Sequence, residues 1–371
     1  MKTRSILMTT LCSLMLGMGF ASCADDEEFK DISIVPDDGK RWNYVLNEGV
    51  WGANNANITA IIYDEKTSTF NSMGDIYLGI NKQQMGDVAN AMIMEDANIY
   101  VVLNGSRYVA RLSPGGCVEE ARYTFPEAEG APRCIDVEDD YAYVTQYGGQ
   151  VTKLNIKDMT LVSTFKGGDN LEGIVEKNGK LYVANSYTVD GSDNWIYNKE
   201  VFVIDAKTMT LEKTIKVVDN PTKLYEIDNR IYLISAGNYA DVPGALQIID
   251  TQSNTARTIL NNVTKITEGN DDLIYGVSST YDANWQLTNS FFVYHPKMDE
   301  VSQSSFLKDA PSSFATDAIY MLEMDEETGF IYIGTSDYTT NGTIYQFDQS
   351  GKLNCQFDSG GINPSAMVFI D

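Results

Sequence analysis

One histidine, His295 in the run YHPKM, is all the imidazole that this chain of 371 residues offers. Ser-His-Asp and Cys-His arrangements, a His-ligated zinc and a His-axial haem therefore have almost no material. Five cysteines occur, without Cys-x-x-Cys spacing. Cys117, Cys134 and Cys355 remain once the two near the N-terminus are set aside, which argues against a disulfide framework or a zinc site. The glycine-rich piece GGDNLEG (167–173) does not open a helix after a strand, so it implies no phosphate loop. Carboxylates are what is left. Glu48, Asp87, Glu172, Asp193, Glu200, Asp241, Asp282, Asp317 and Asp337 could reach a common face, where a pair could serve glycoside chemistry or hold a cation. With 52 acidic residues in the chain, nearness in sequence means little, and most of these are expected to be solvated or to cap loop backbone. No catalytic residue and no metal ligand is assigned.

A second set is aromatic. Three of the four tryptophans (Trp51, Trp195, Trp285) lie in polar stretches between strand-like segments. Tyr108, Tyr147, Tyr187, Tyr197, Tyr239, Tyr281 and Tyr338 lie in the same stretches. The longest is NSYTVDGSDNWIYNKE (185–200), and a loop of that size calls for a function. Amides stand beside the rings: Asn47, Asn54, Asn55, Asn104, Gln146, Asn185, Asn194, Asn238, Asn284, Gln286 and Asn289. Aromatic rings with amide neighbours suit a large neutral molecule that has apolar faces and amide or hydroxyl edges. The rings together with Asn104 and Asn185 form the candidate ligand-binding set.

The elements that must position these residues repeat. WNYVLN, NIYVVLN, YAYVTQ, KLYVANS, RIYLISA, LIYGVSS and FIYIGTS share a tyrosine at 44, 100, 143, 182, 232, 275 and 332. The interval averages about 48 residues, the size of one propeller blade. A second alternating strand follows each one and ends in a polar turn. Seven copies predict an all-β, seven-bladed β-propeller over 42–371. The first copy lacks an innermost strand, and the C-terminal GINPSAMVFID resembles the innermost strands of other copies, so it is expected to complete blade one. With the tyrosine strand second in each blade, every aromatic stretch becomes a B–C loop on one face. The opposite face carries only short turns, His295 at the start of one of them.

The formal net charge of −25 opposes nucleic-acid binding. Lys2 and Arg4 precede the apolar run Ile6–Phe20, which meets Ala21-Ser22-Cys23. That is the layout of a secretory leader ending in a lipobox-like sequence, with Phe20 in place of the usual Leu. The expectation is a signal peptide over 1–22, lipidation at Cys23 and an acidic tether over 23–41, starting with ADDEE.

LNEGVWGANNANITAIIYDEKT (46–67), INKQQMGDVANAM (80–92) and IYVVLNGSRYVARL (99–112) resemble the YncE-like surface-lipoprotein propellers of gut Bacteroidetes, a group that includes the cobalamin-binding BtuG type. The resemblance implies an outer-membrane lipoprotein facing the cell exterior. It would capture cobalamin or a related corrinoid and pass it to a TonB-dependent outer-membrane transporter, with no enzymatic activity and no resident cofactor. Two other readings stay open on the residues alone: a propeller lyase, lactonase or glycosidase using carboxylates of the aromatic face, and a glycan-binding or adhesion module.

Overall fold

The structure is a computed structural model describing residues 40–270 and 272–370. The expected leader (1–22), Cys23 and most of the expected tether (23–41) lie outside the described residues. Among those described, no helix is long and apolar enough to cross a membrane.

Seven four-stranded antiparallel sheets form the ring of a β-propeller. Calling the strands A to D from the axis outward, blade one takes A from the C-terminus (Pro364–Ile370) and B, C and D from the N-terminal side (Lys40–Asn47, Asn57–Asp64, Thr69–Asp75). Strand B pairs with A from Trp42↔Ile370 to Asn47↔Pro364, so the expected closure is the observed one. Side chains reinforce it. Asn47 Nδ2 donates to Ser359 O at 2.9 Å, and Asn363 Nδ2 donates to Gly49 O at 3.0 Å.

The period-2 alternation explains how each blade packs. In strand B of blade two (Asn98–Leu103), Ile99, Val101 and Leu103 join the cluster shared with blade one, while Tyr100 and Val102 join the one shared with blade three. Among the described residues there is one hydrophobic cluster between each neighbouring pair of blades. The repeated tyrosine always packs toward the following blade; Tyr44, Tyr100, Tyr232 and Tyr332 are fully buried. A residue present in every blade thus serves the interface that every blade needs.

The face bearing the A–B and C–D turns is built from short standard turns. Asp96-Ala97 and Asp228-Asn229 have positive φ at both central positions, as a two-residue hairpin turn requires. Asp64, Asp205, Asp250 and Asp348 open C–D turns, their Oδ1 atoms accepting from backbone N–H groups two to four residues on. His295 stands at the equivalent position, where its carbonyl accepts from Met298 N at 3.1 Å. The D–A connections bring elements that the strand pattern did not announce: a helix over Ile76–Asn81, capped by Asp75, and 3-10 turns at Glu127–Glu129 and Ser312–Ala315.

Candidate functional site

The long stretch of blade four is a continuation of its sheet. Strands B (Lys180–Val189) and C (Trp195–Asp205) stay paired out to Val189↔Trp195, leaving only a tight turn over 190–194. Blade six does the same: Ile274–Tyr281 and Leu287–His295 pair out to Tyr281↔Leu287. Both turns are built on an aspartate. Asp190 Oδ1 accepts from the N–H groups of Ser192 and Asn194 at 2.8 and 3.0 Å. Asp282 Oδ1 accepts from Asn284 and Gln286 at 2.8 and 2.9 Å. Local side-chain acceptors of this kind fix a turn without help from the core. The two hairpins flank blade five and rise above the ring there.

Three aromatic residues sit at loop tips in the left-handed region: Tyr239 (φ 55°), Trp285 (φ 60°) and Tyr338 (φ 65°). For bulky side chains this conformation is an outlier that costs free energy. All three are exposed, at 69%, 75% and 55%. Each follows a polar residue that turns the backbone. Asn238 Oδ1 accepts from Ala240 N and Val242 N, Asp282 acts as above, and Asp337 Oδ1 accepts from Thr339 N and Thr340 N at 2.8 and 2.7 Å. Strain is thus spent on presenting rings to water, the reverse of what packing would select.

These rings meet others. Tyr187 stacks on Trp195 at 4.5 Å with planes 11° apart, and meets Tyr147 edge-on at 5.9 Å. Tyr197 meets Tyr239 at 5.6 Å, Tyr281 lies 6.2 Å from Trp285, and Tyr338 lies 6.0 Å from Tyr320. The rings form an arc over blades three to seven. Trp51 stands exposed in the blade-one loop, which Asp87 ties down by accepting from Gly52 N at 3.0 Å and Asn54 N at 3.3 Å. Among the described residues, nine of the fifteen exposed large hydrophobic side chains lie in the B–C loops and the hairpin ends that carry them. An apolar concentration on one face of the ring marks an interaction surface.

Other candidates are interior. Tyr108 is buried in the core between blades one and two, its hydroxyl donating to Met85 O and its ring under Arg122. Asn104 is buried with Nδ2 on Pro132 O at 3.0 Å, and Asn185 is buried within its strand, paired with Glu200. Gln146 Nε2 reaches Glu129 O at 3.3 Å, and Asn289 Nδ2 donates to Phe314 O and Asp317 O. Asn104 thus ties the end of its strand to blade three, and Asn289 ties strand C of blade six to the connection entering blade seven. The amides left at the surface are Asn54, Asn55, Asn194, Asn284 and Gln286.

Each A–B pairing carries a register shift near its top, which no spacing announced. Bulges re-aim side chains, and here they set Arg133, Glu172, Thr222 and Tyr320 around the mouth of the axis. Arg133 Nε lies 3.0 Å from Glu172 Oε2, and Tyr147 OH donates to Glu172 Oε1 at 2.6 Å. Burial opposes the charge of Arg133, but Glu172 beside it holds the guanidinium above its ordinary range. Burial, with Glu172 next, raises the Tyr147 phenol. Tyr320 OH donates to Glu48, and burial followed by that carboxylate raises it too. Asp241, Asp282 and Asp337 act on their own loops and Asp87 on the blade-one loop, as expected of most of these acids. Among the described residues, no three His, Cys, Asp or Glu are gathered as a metal site would need.

No family model and no curated protein matches the chain. Solved structures do. Hydrazine synthase of Kuenenia stuttgartiensis aligns with a TM-score of 0.54 at 16% identity, over 68% of this chain and 74% of that one. The dihydro-heme d1 dehydrogenase NirN aligns at 0.52 and 11%, over 91% and 77%. The computationally designed Ika8 protein aligns at 0.50 and 12%, over 86% and 88%. At such identities the likeness speaks for fold alone: the chain is a β-propeller, in seven blades.

Proposed function

We propose that this chain is a non-enzymatic capture protein that binds a corrinoid such as cobalamin on its B–C loop face. The carrying observation is the presentation of Tyr239, Trp285 and Tyr338 in left-handed conformations at exposed tips. Rings held out against both backbone preference and the hydrophobic effect make sense when a ligand covers them. A corrin is broad and flat with a fringe of amides. The arc of rings matches its apolar surface, and Asn194, Asn284 and Gln286 at the hairpin tips match the fringe. Binding to loops already fixed by their own turns spends little affinity on ordering. Lipidation at Cys23 and delivery to a TonB-dependent transporter complete the proposal, on the resemblance of the N-terminal blades to the YncE-like lipoproteins.

Calorimetric titration of the mature chain without its lipidated cysteine, residue 24 onward, with cyanocobalamin and with cobinamide tests the reading. Saturable binding with co-eluting corrin absorbance supports it; no heat and no co-elution refute it. An enzymatic reading draws on Glu172, held between Arg133 and Tyr147 at the mouth of the axis. It requires turnover of a glycan or lactone that Glu172→Gln abolishes.

A further inference from the structure

Below the aromatic face, the channel along the axis contains a charge arrangement that the ring does not need. Lys223 on strand A of blade five (Pro221–Ile227) and Lys265 on strand A of blade six (Val263–Glu268) occupy equivalent places, each directly after the bulge. Each amine is close enough to perturb the other's ionisation. Neither lies within ion-pair distance of a carboxylate among the described residues. Lys223 remains open to water although Cys134 of blade three, Tyr225 of its own strand and Glu323 of blade seven all face it, so it points into the lumen. Lys265 faces Lys223, Glu323 and Glu48, with its Nζ 5.5 Å from the centre of the Tyr320 ring.

Two like charges that perturb one another, with no carboxylate in ion-pair range of either, are costly. An interior ring position does not demand them either: the matching places of blades one, two and seven hold Ala366, Ala91 and Met321. We propose that Lys223 and Lys265 form an anion-binding site in the axial channel, taking a carboxylate or a phosphate group. The oxygens would bridge the two amines, with Tyr320 and Thr222 at the rim above. Without an anion, burial first and Lys223 next hold the Lys265 ammonium well below its ordinary range. Burial likewise pushes Glu323 up to about 7. An entering anion reverses the balance at Lys265, so binding takes up protons. The site is independent of the corrinoid proposal, since its groups lie on the strands and not on the loops.

Calorimetry of the mature protein with inorganic phosphate and with acetate, each in two buffers of different ionisation enthalpy, tests this. The expected result is binding at a Kd of about 1 mM or tighter, with a buffer-dependent heat that reports proton uptake. Phosphate without acetate identifies a phosphate site; acetate without phosphate identifies a carboxylate site. Lys223→Gln and Lys265→Gln should each weaken binding about tenfold or more, whereas Glu323→Gln, which removes the competing carboxylate, should tighten it. Glu323→Gln separates a binding role from a structural one, because loss of structure cannot raise affinity. No binding of either anion at ~10 mM, or equal affinity in the double lysine variant, overturns the proposal. Corrinoid titration of the same samples keeps the two proposals apart: anion binding lost with corrinoid binding retained sinks this one alone.

Discussion

Replacing Trp195 with alanine isolates the part of the aromatic arc with the clearest geometry. The indole is 59% exposed, and its covered side lies on Tyr187 at 4.5 Å with planes 11° apart. A tryptophan can bury up to about 250 Å², so about 150 Å² of this ring is exposed, of which a ligand resting on its outer face covers about 100 Å². At about 25 cal/mol per Å², that contact is worth about 2.5 kcal/mol, which is about 70-fold in Kd. The folded ring loses little. Trp195 pairs with Val189 at the hairpin tip and joins no interface cluster, so the cost is the Tyr187 stack, about 1 kcal/mol at most. Calorimetric titration with cyanocobalamin on wild type and Trp195→Ala, beside thermal melts of both, makes the comparison. Met298→Ala is the control, an equally exposed apolar residue in a C–D turn on the other face, at 60%. The expected outcome is a Kd weaker by about 70-fold with Tm shifted by about 2 °C or less, and no change for Met298→Ala. A Kd within about twofold of wild type, or an equal loss in the control, refutes the reasoning.

Asn47 is fully buried and its Nδ2 donates to Asn57 Oδ1 at 2.7 Å and Ser359 O at 2.9 Å across the ring closure. Asn47→Ala should cost about 2 kcal/mol in denaturant unfolding, and an unchanged midpoint would show that the closure does not depend on it. Asp282→Ala removes the one oxygen that accepts both side-chain hydrogen bonds of the blade-six turn, which should free Trp285 from its left-handed conformation and weaken corrinoid binding by about tenfold at a nearly constant Tm; unaltered affinity would contradict the role of the fixed turn. Burial pushes Asp136 and Glu268 up to about 7. The native state then holds more protons than the unfolded chain between about pH 4 and 7, so stability present below that window is lost as pH rises through it. Tm should fall from about pH 5 to 8, and Asp136→Asn should flatten the fall; a Tm that climbs over this range would be inconsistent with the assignment.

The repeat of apolar–Tyr–apolar strands was enough to determine seven blades, the order of strands within them, the face of every loop and the closure of blade one by the C-terminus. These follow from local rules: alternation sets which side chains point to which neighbouring blade, and turn residues set where strands end. Of the candidate set, Asn104, Tyr108 and Asn185 stand next to loops in the sequence yet are buried in the ring, where Asn104 and Tyr108 hold one blade to another. A ligand has no sevenfold symmetry, so residues shared by the blades serve the ring and those that depart from the repeat are free to serve a ligand. Only the tertiary structure revealed the departures that matter. The stretch 185–200 became a rigid hairpin because Asp190 closes its turn, and Tyr239, Trp285 and Tyr338 were turned outward by backbone strain that their residue types do not announce. Lys223 and Lys265 are 42 positions apart in the chain and meet only because consecutive innermost strands converge on one axis. Composition and spacing record what each blade repeats; a site at the centre of a ring is decided by the distances between blades, which closure alone sets.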